Sequence, residues 1–236
     1  MSFFDLFIRI NRHIFWRSPV LYRPIGFLRQ RSNYRLRGYD IWIGGFPRSG
    51  NTFAAKAMEL LLSDHQRVVS QIHLPPPIIQ ALREKKPGLF LIRNPRDAAV
   101  SWAIFTGHRL DQCLQYYIDF HQVLKPYLDQ LLVFDFKQVT RNFQKLAEQF
   151  NKTYGPLLAP QKITNTMPSV IFKAIDEQSR DKNGQISERH VSRPSTERMD
   201  ISRSYLKEFR HSARLQRQLE KANRYYLLFR DASPCA

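Results

Sequence analysis

Tyr39-Asp-Ile-Trp-Ile-Gly-Gly-Phe-Pro-Arg-Ser-Gly-Asn-Thr-Phe53 is the stretch whose reading decides the fold. Ile41, Trp42 and Ile43 form a β-prone run that stops at Gly44 and Gly45. From Thr52 onward, Phe53, Ala54, Ala55, Ala57, Met58, Leu60, Leu61 and Leu62 read as a largely buried helix. A strand therefore enters a glycine-bounded loop, and the loop opens a helix. That order aims backbone N–H groups and the positive end of the helix dipole into the loop, an arrangement suited to an anion.

Gly45 and Gly50 have the spacing of the G-x-x-x-x-G-K-[ST] phosphate loop, but Asn51 stands where that motif has Lys. Without the lysine, a triphosphate tail lacks its main counter-charge. Arg48 supplies a cation inside the loop instead, matched to a shorter dianionic group and requiring no metal. A turn whose glycines serve packing alone is the competing reading.

Working outward, Arg67 to His73 reads as a second strand that Leu74-Pro75-Pro76-Pro77 cannot continue, with a helix over 78–83. His73 thus falls just past a strand's carboxyl end, where sites of open α/β sheets lie. Its alternative role is a loop histidine bonded to nearby backbone. Gly88 to Arg93 is an apolar strand, closed by Asn94-Pro95, and a helix begins at Pro95 or Arg96. The turn that follows the first strand is repeated here, with Arg93 at the strand tip and Ser101 within the helix.

Phe46-Pro-Arg-Ser-Gly-Asn-Thr52 followed by Arg93-Asn-Pro-Arg-Asp-Ala-Ala-Val-Ser101 resembles the two cofactor motifs of the sulfotransferases that use 3′-phosphoadenosine 5′-phosphosulfate (PAPS). In that family the first motif, P-K-S-G-[TS]-[TS], holds the 5′-phosphosulfate. The second, R-x-P-x-x-x-x-x-S, holds the 3′-phosphate through its Arg and Ser. The resemblance implies a PAPS co-substrate, no metal, and cofactor contacts from Arg48, Ser49, Gly50, Asn51, Thr52, Phe53, Arg93 and Ser101. A guanidinium also suits a terminal phosphate by its own geometry. Gln71-Ile-His-Leu-Pro75 is similar to the K-T-H-L-P of the cytosolic branch, which implies His73 as catalytic base beside Arg48. Gln71 replaces the lysine that steadies the transferring group. His73 is expected to titrate in the neutral range without a large shift.

Further along, 110–128 reads as a helix with an aromatic face (Tyr116, Tyr117, Phe120, Tyr127), suited to core packing or to an acceptor pocket. Leu131 to Phe136 reads as a strand and Val139 to Phe150 as a helix. They are similar to the family's segment ending in Y-E-D-[LM], with Phe134 in place of its adenine-contacting Tyr. Phe172 matches the phenylalanine of the family's S-F-x-x-M helix. Residues 176–198 read as a loop in which Arg193, ahead of Arg189 and Arg198, is the candidate to replace the family's R-K-G on the 3′-phosphate, with a solvated basic loop as the alternative. A single helix is expected over 202–229.

The expected architecture is a single α/β domain over 39–236, a parallel sheet flanked by helices and containing a phosphate loop, preceded by an arm over 1–38. With 236 residues and 43% hydrophobic side chains, the chain can bury a core. The net charge of +17 calls for an anionic ligand or surface. Arg9, Arg12, Arg17, Arg23, Arg29, Arg31, Arg35 and Arg37 interleave with aromatics in the arm, which suits either an anionic membrane interface or packing on the domain. No apolar run approaches the ~20 residues of a span. Two cysteines point to a reducing, cytoplasmic setting, with peripheral membrane contact open.

The implied activity is sulfuryl transfer to a hydroxyl or amine of a small-molecule, glycan or lipid acceptor. A Mg²⁺-dependent phosphoryl-transfer enzyme is the alternative on the same fold, opposed by Asn51. A basic module for anionic surfaces or nucleic acid is the other. Nucleic acid is not an expected partner, since helix-turn-helix, zinc and aromatic single-strand signatures are absent from the sequence.

Overall fold

The computed structural model describes residues 14–22, 38–62, 65–164, 166–180, 184–187 and 196–232. Four parallel strands form one sheet: β1 (Ile41–Gly45), β2 (Val68–Ile72), β3 (Gly88–Ile92) and β4 (Val133–Asp135), in the order β2-β1-β3-β4. Parallel pairing needs crossover connections, and helices supply them. They are α1 (Asn51–Leu61), α2 (Pro75–Arg83), and the pair α3 (Pro95–Thr106) and α4 (Leu110–Leu124). After β4 come α5 (Phe136–Arg141), α6 (Phe143–Tyr154), α7 (Met167–Gln178), α8 (Thr196–His211) and α9 (Ala213–Asp231). The chain is an α/β domain with helices on both faces of a parallel sheet.

Strand alternation divides the core. Ile41, Ile43, Leu89, Leu91 and Phe134 pack with α1, α6 and α7 on one face. Trp42, Phe90, Ile92 and Val133 pack with α2, α3, α4 and α9 on the other. Trp42 lies opposite Gly88 in the register, and a Cβ on Gly88 would run into its indole. The order reverses direction at β1 and β3, so their carboxyl ends bound the crevice where open α/β sheets bind ligands.

Several boundaries differ from the sequence reading, each for a local reason. Pro75, Pro76 and Pro77 do not delay α2 but open it, because a first helical turn needs no N–H partners. The helix expected over 110–128 ends at Leu124, where Pro126 tightens the chain into a 3₁₀ turn over Lys125–Gln130. The helix expected from Val139 starts at Phe136, capped by Asp135 (Lys137 N–H to Oδ1, 2.9 Å), and is broken at Asn142. The single helix expected over 202–229 is two, starting at Thr196 and divided at Ser212, whose hydroxyl accepts from Leu215 N–H at 3.3 Å. The segment expected as a loop from 176 continues α7 to Gln178.

The described part of the arm is docked on the domain. Trp16 and Tyr22 are buried in the α2–α4 core, and the Trp16 ring lies 5.4 Å from that of Tyr116. Arg17 remains exposed. No helix among the described residues is long and apolar enough to cross a membrane.

Candidate functional site

The loop after β1 is pressed against β3. A Cβ on Gly45 would overlap the carbonyl oxygen of Leu91, so only glycine lets the strand end pass that closely. Gly50 sits at φ 96° as the N-cap of α1, and no side chain caps that helix end. Gly50 offers the first-turn amides of α1 no side chain of its own, which suits an anion held in the loop. Arg48 itself is left-handed, at φ 66°. A non-glycine residue in that region carries backbone strain, and such residues cluster at functional sites.

The two loops at the crevice are joined. Arg48 Nε donates to Ser101 Oγ at 3.1 Å, and Arg93 Nη1 donates to the Arg48 carbonyl oxygen at 2.9 Å. Residues 45 and 53 positions apart in sequence thus form one basic cluster at the carboxyl ends of β1 and β3. Each guanidinium lies near an aromatic ring: Arg48 is 5.3 Å from Phe105 and Arg93 is 4.3 Å from Phe136. The Phe136 ring also borders Gly50. Tyr117 donates its hydroxyl to the Arg93 carbonyl at 2.9 Å, anchoring the tip of β3 to α4.

His73 follows β2 on the other side of the loop. Its Nδ1 lies 2.9 Å from the Gly45 carbonyl oxygen and its Nε2 is 3.0 Å from Gln71 Oε1. Tyr116 donates to the His73 carbonyl at 2.7 Å. Burial, with Arg48 adding to it against the Gly45 bond, pushes the His73 pKa down to about 4. The ordinary titration expected from sequence is corrected accordingly: the ring is neutral throughout the neutral range. With Nδ1–H donated to Gly45, the neutral ring presents its lone pair at Nε2.

The remaining predicted residues have different surroundings. The Ser49 and Asn51 side chains turn inward; Asn51 Nδ2 lies 3.5 Å from the Phe46 carbonyl. Neither Ser49 Oγ nor Asn51 Oδ1 has a hydrogen-bond partner among the described residues. The Thr52 hydroxyl is 3.0 Å from Gln71 Nε2. Phe53 is buried, with its ring 5.4 Å from the partly buried Phe172. Phe134 is buried in the α1–α6 core beneath a hollow lined by Gln138, Asn142 and Lys145. Arg189 and Arg193 lie outside the described residues, and Arg198 falls in the first turn of α8.

Sequence reasoning missed Phe105 and Phe136 as neighbours of the two arginines. Phe105 stands four residues after Ser101, one helical turn away. Phe136 immediately follows a strand's carboxyl end, the position that singled out His73.

This is an α/β domain with a basic cluster and a neutral imidazole gathered at its topological switch point. No family model matches the chain, and no curated protein matches it. Among solved structures, it is similar to the mouse sulfotransferase SULT7A1, crystallised in complex with PAP. The identity is 13%, the coverage 78% of this chain and 89% of that one, and the TM-score 0.46.

Proposed function

We propose that the chain transfers a sulfuryl group from PAPS to an acceptor hydroxyl or amine. The observation that carries this reading is the Arg93–Arg48–Ser101 cluster, which links the two motif loops within hydrogen-bond distance. Gly45 and Gly50, which leave the loop no bulk, and the uncapped start of α1 fit an anionic group in the loop. Arg93 and Ser101 suit a second, terminal phosphate, and the partly buried face of Phe172 suits an adenine.

In the reaction, the acceptor oxygen or nitrogen forms a bond to sulfur while the bond from sulfur to the phosphate oxygen breaks. The acceptor's proton passes to Nε2 of His73, and the electron pair of the broken bond stays on adenosine 3′,5′-bisphosphate. Arg48 and the loop amides oppose the charge that grows on that phosphate. A preorganised donor of this kind is worth about 3–4 kcal/mol. The reaction needs no metal. The phosphoryl-transfer alternative is disfavoured by Asn51, which holds the place of the phosphate-loop lysine and is turned inward toward Phe46.

The test is nucleotide affinity by calorimetry. Adenosine 3′,5′-bisphosphate should bind at least tenfold more tightly than AMP, without Mg²⁺, and Arg93→Ala should remove most of that preference. Equal affinity for the two nucleotides in the native chain would overturn the reading. Transfer of labelled sulfuryl from PAPS across panels of phenols, amines, glycans and lipids would then define the acceptor.

A further inference from the structure

A bulge in β2 brings Gln71 and His73 to the same place. Ile41 and Trp42 pair with Val68 and Val69, but Gly44 pairs with Ile72, so β2 carries one residue more than β1 across this interval. Bulges of this kind re-aim side chains beside active sites. Gln71 takes up the extra residue at φ 63°, a left-handed conformation that strains a non-glycine residue. Its amide then bridges Thr52 Oγ1 and His73 Nε2, each at 3.0 Å, while the other ring nitrogen meets Gly45 at 2.9 Å. The bridge runs from the first turn of α1, through β2, to the imidazole.

We propose that Gln71 is the positioning residue of His73, holding the ring in one tautomer and matching either protonation state by turning its amide. The amide oxygen faces Nε2 and the NH₂ faces Thr52 Oγ1 in the structure; with the ring neutral the amide turns over, so that its NH₂ donates to Nε2 and its oxygen accepts from the Thr52 hydroxyl. The sulfuryl acceptor takes the place of that NH₂ at Nε2 while it hands over its proton; the protonated Nε2 then donates to the amide oxygen, and the NH₂ donates to the Thr52 oxygen. Both arrangements keep a donor facing an acceptor at each end of the bridge, because an amide presents a donor and a carbonyl on interchangeable sides. A lysine here could serve only the neutral ring, and a carboxylate only the charged one. The charge acting on the ring is that of Arg48, and the Tyr116 hydroxyl donates to the His73 carbonyl. The consequence for turnover rests on the sulfuryl-transfer reading; the effect on the ring does not.

The experiment is ¹⁵N-detected titration of His73 in the full chain without ligand, comparing native protein with Gln71→Glu, Gln71→Leu and Thr52→Val. Gln71→Glu should raise the His73 pKa by about 1–3 pH units, since a carboxylate at hydrogen-bond distance favours the imidazolium. Gln71→Leu should change the Nε2 shift while Nδ1 keeps its proton. Thr52→Val, which frees the far end of the bridge, should give a smaller change in Nε2 and covers the case in which a Gln71 variant does not fold. A His73 pKa and Nε2 shift unchanged in every folded variant would overturn the proposal. With PAPS and an acceptor, the acid limb of kcat should follow the measured pKa. Altered titration without sulfuryl transfer to any acceptor would uphold the positioning role and remove the proposed function.

Discussion

His73 and His121 are both held neutral, and their different surroundings predict different behaviour. His73 has one ring nitrogen on a backbone carbonyl and the other on an exchangeable amide. Replacing it with alanine should lower turnover by about 10²–10⁴-fold, as loss of a general base does, with bisphosphate affinity nearly unchanged. Because its pKa lies near 4, kcat/KM should hold level from pH 8 down to about 5 and fall only below that. A limb near 6.5 in the free enzyme would assign the proton to a solvated group. His121 is fully buried among Phe46, Phe90, Phe120 and Phe229, donating Nδ1–H to the Tyr117 carbonyl at 2.8 Å, with no hydrogen-bond partner for Nε2 among the described residues. Burial pushes its pKa down to about 3. Below pH 6.5 the unfolded chain binds a proton there that the folded chain refuses, so stability falls as the pH drops toward 3. Between pH 7 and 4.5 this costs about 2–3 kcal/mol. Urea unfolding of His121→Phe at the two pH values should show that loss reduced relative to the native chain.

At the scale of the element, α4 decides where the site residues stand. Two consecutive tyrosines on it reach different strand ends: Tyr116 bonds the His73 carbonyl after β2, and Tyr117 the Arg93 carbonyl after β3. The aromatic face is thus mostly core, as Tyr117 and Phe120 are buried, but its hydroxyl groups also tether the site. Tyr117→Phe should cost about 0.5–1.5 kcal/mol of stability, the worth of one internal hydrogen bond, and weaken bisphosphate binding several-fold by loosening Arg93. Unchanged bisphosphate affinity at that stability cost would confine Tyr117 to packing. The helix breaks at Asn142 and Ser212 carry a related lesson. Both residues cap the following helix with their own side chains. An Asn or Ser inside an apolar periodic run reads equally as a solvated helical position, so their role emerges only when the chain turns.

Across the whole molecule, the charge of +17 is unevenly spread, and the arginines of the arm account for a large share of it. Trp16 joins that arm to the core through Tyr116. Trp16→Ala should therefore cost about 3–5 kcal/mol, as a buried tryptophan does, read as a lowered unfolding midpoint. A midpoint within error of the native value would mean that the arm is not part of the folded core in solution. A separate hypothesis concerns residues 1–13, whose arginines and aromatics suit an anionic lipid surface. Intact protein should sediment with phosphatidylserine vesicles at low salt and lose that binding above about 0.5 M, where screening is strong. Deleting residues 1–13 should abolish sedimentation without moving the unfolding midpoint. Equal sedimentation of the truncated chain would place the lipid contact elsewhere.

Local order along the chain determined that β1 runs through a glycine loop into a helix, that β3 repeats the pattern, that Arg48 lies in the loop, and that Arg93 and His73 sit at strand tips. These features depend on neighbours a few residues away: apolar runs, turn glycines and prolines that cannot continue a strand. The sheet order, the β2 bulge at Gln71 and the approach of Gly45 to Leu91 depend on contacts between distant segments. So do the stacking of Arg93 on Phe136 and the burial that lowers the His73 pKa. Residue types and spacing place a histidine at the end of a strand. Only the tertiary structure decides that its ring is desolvated, which nitrogen keeps the proton, and which side chain faces the other, because those follow from what packs around it.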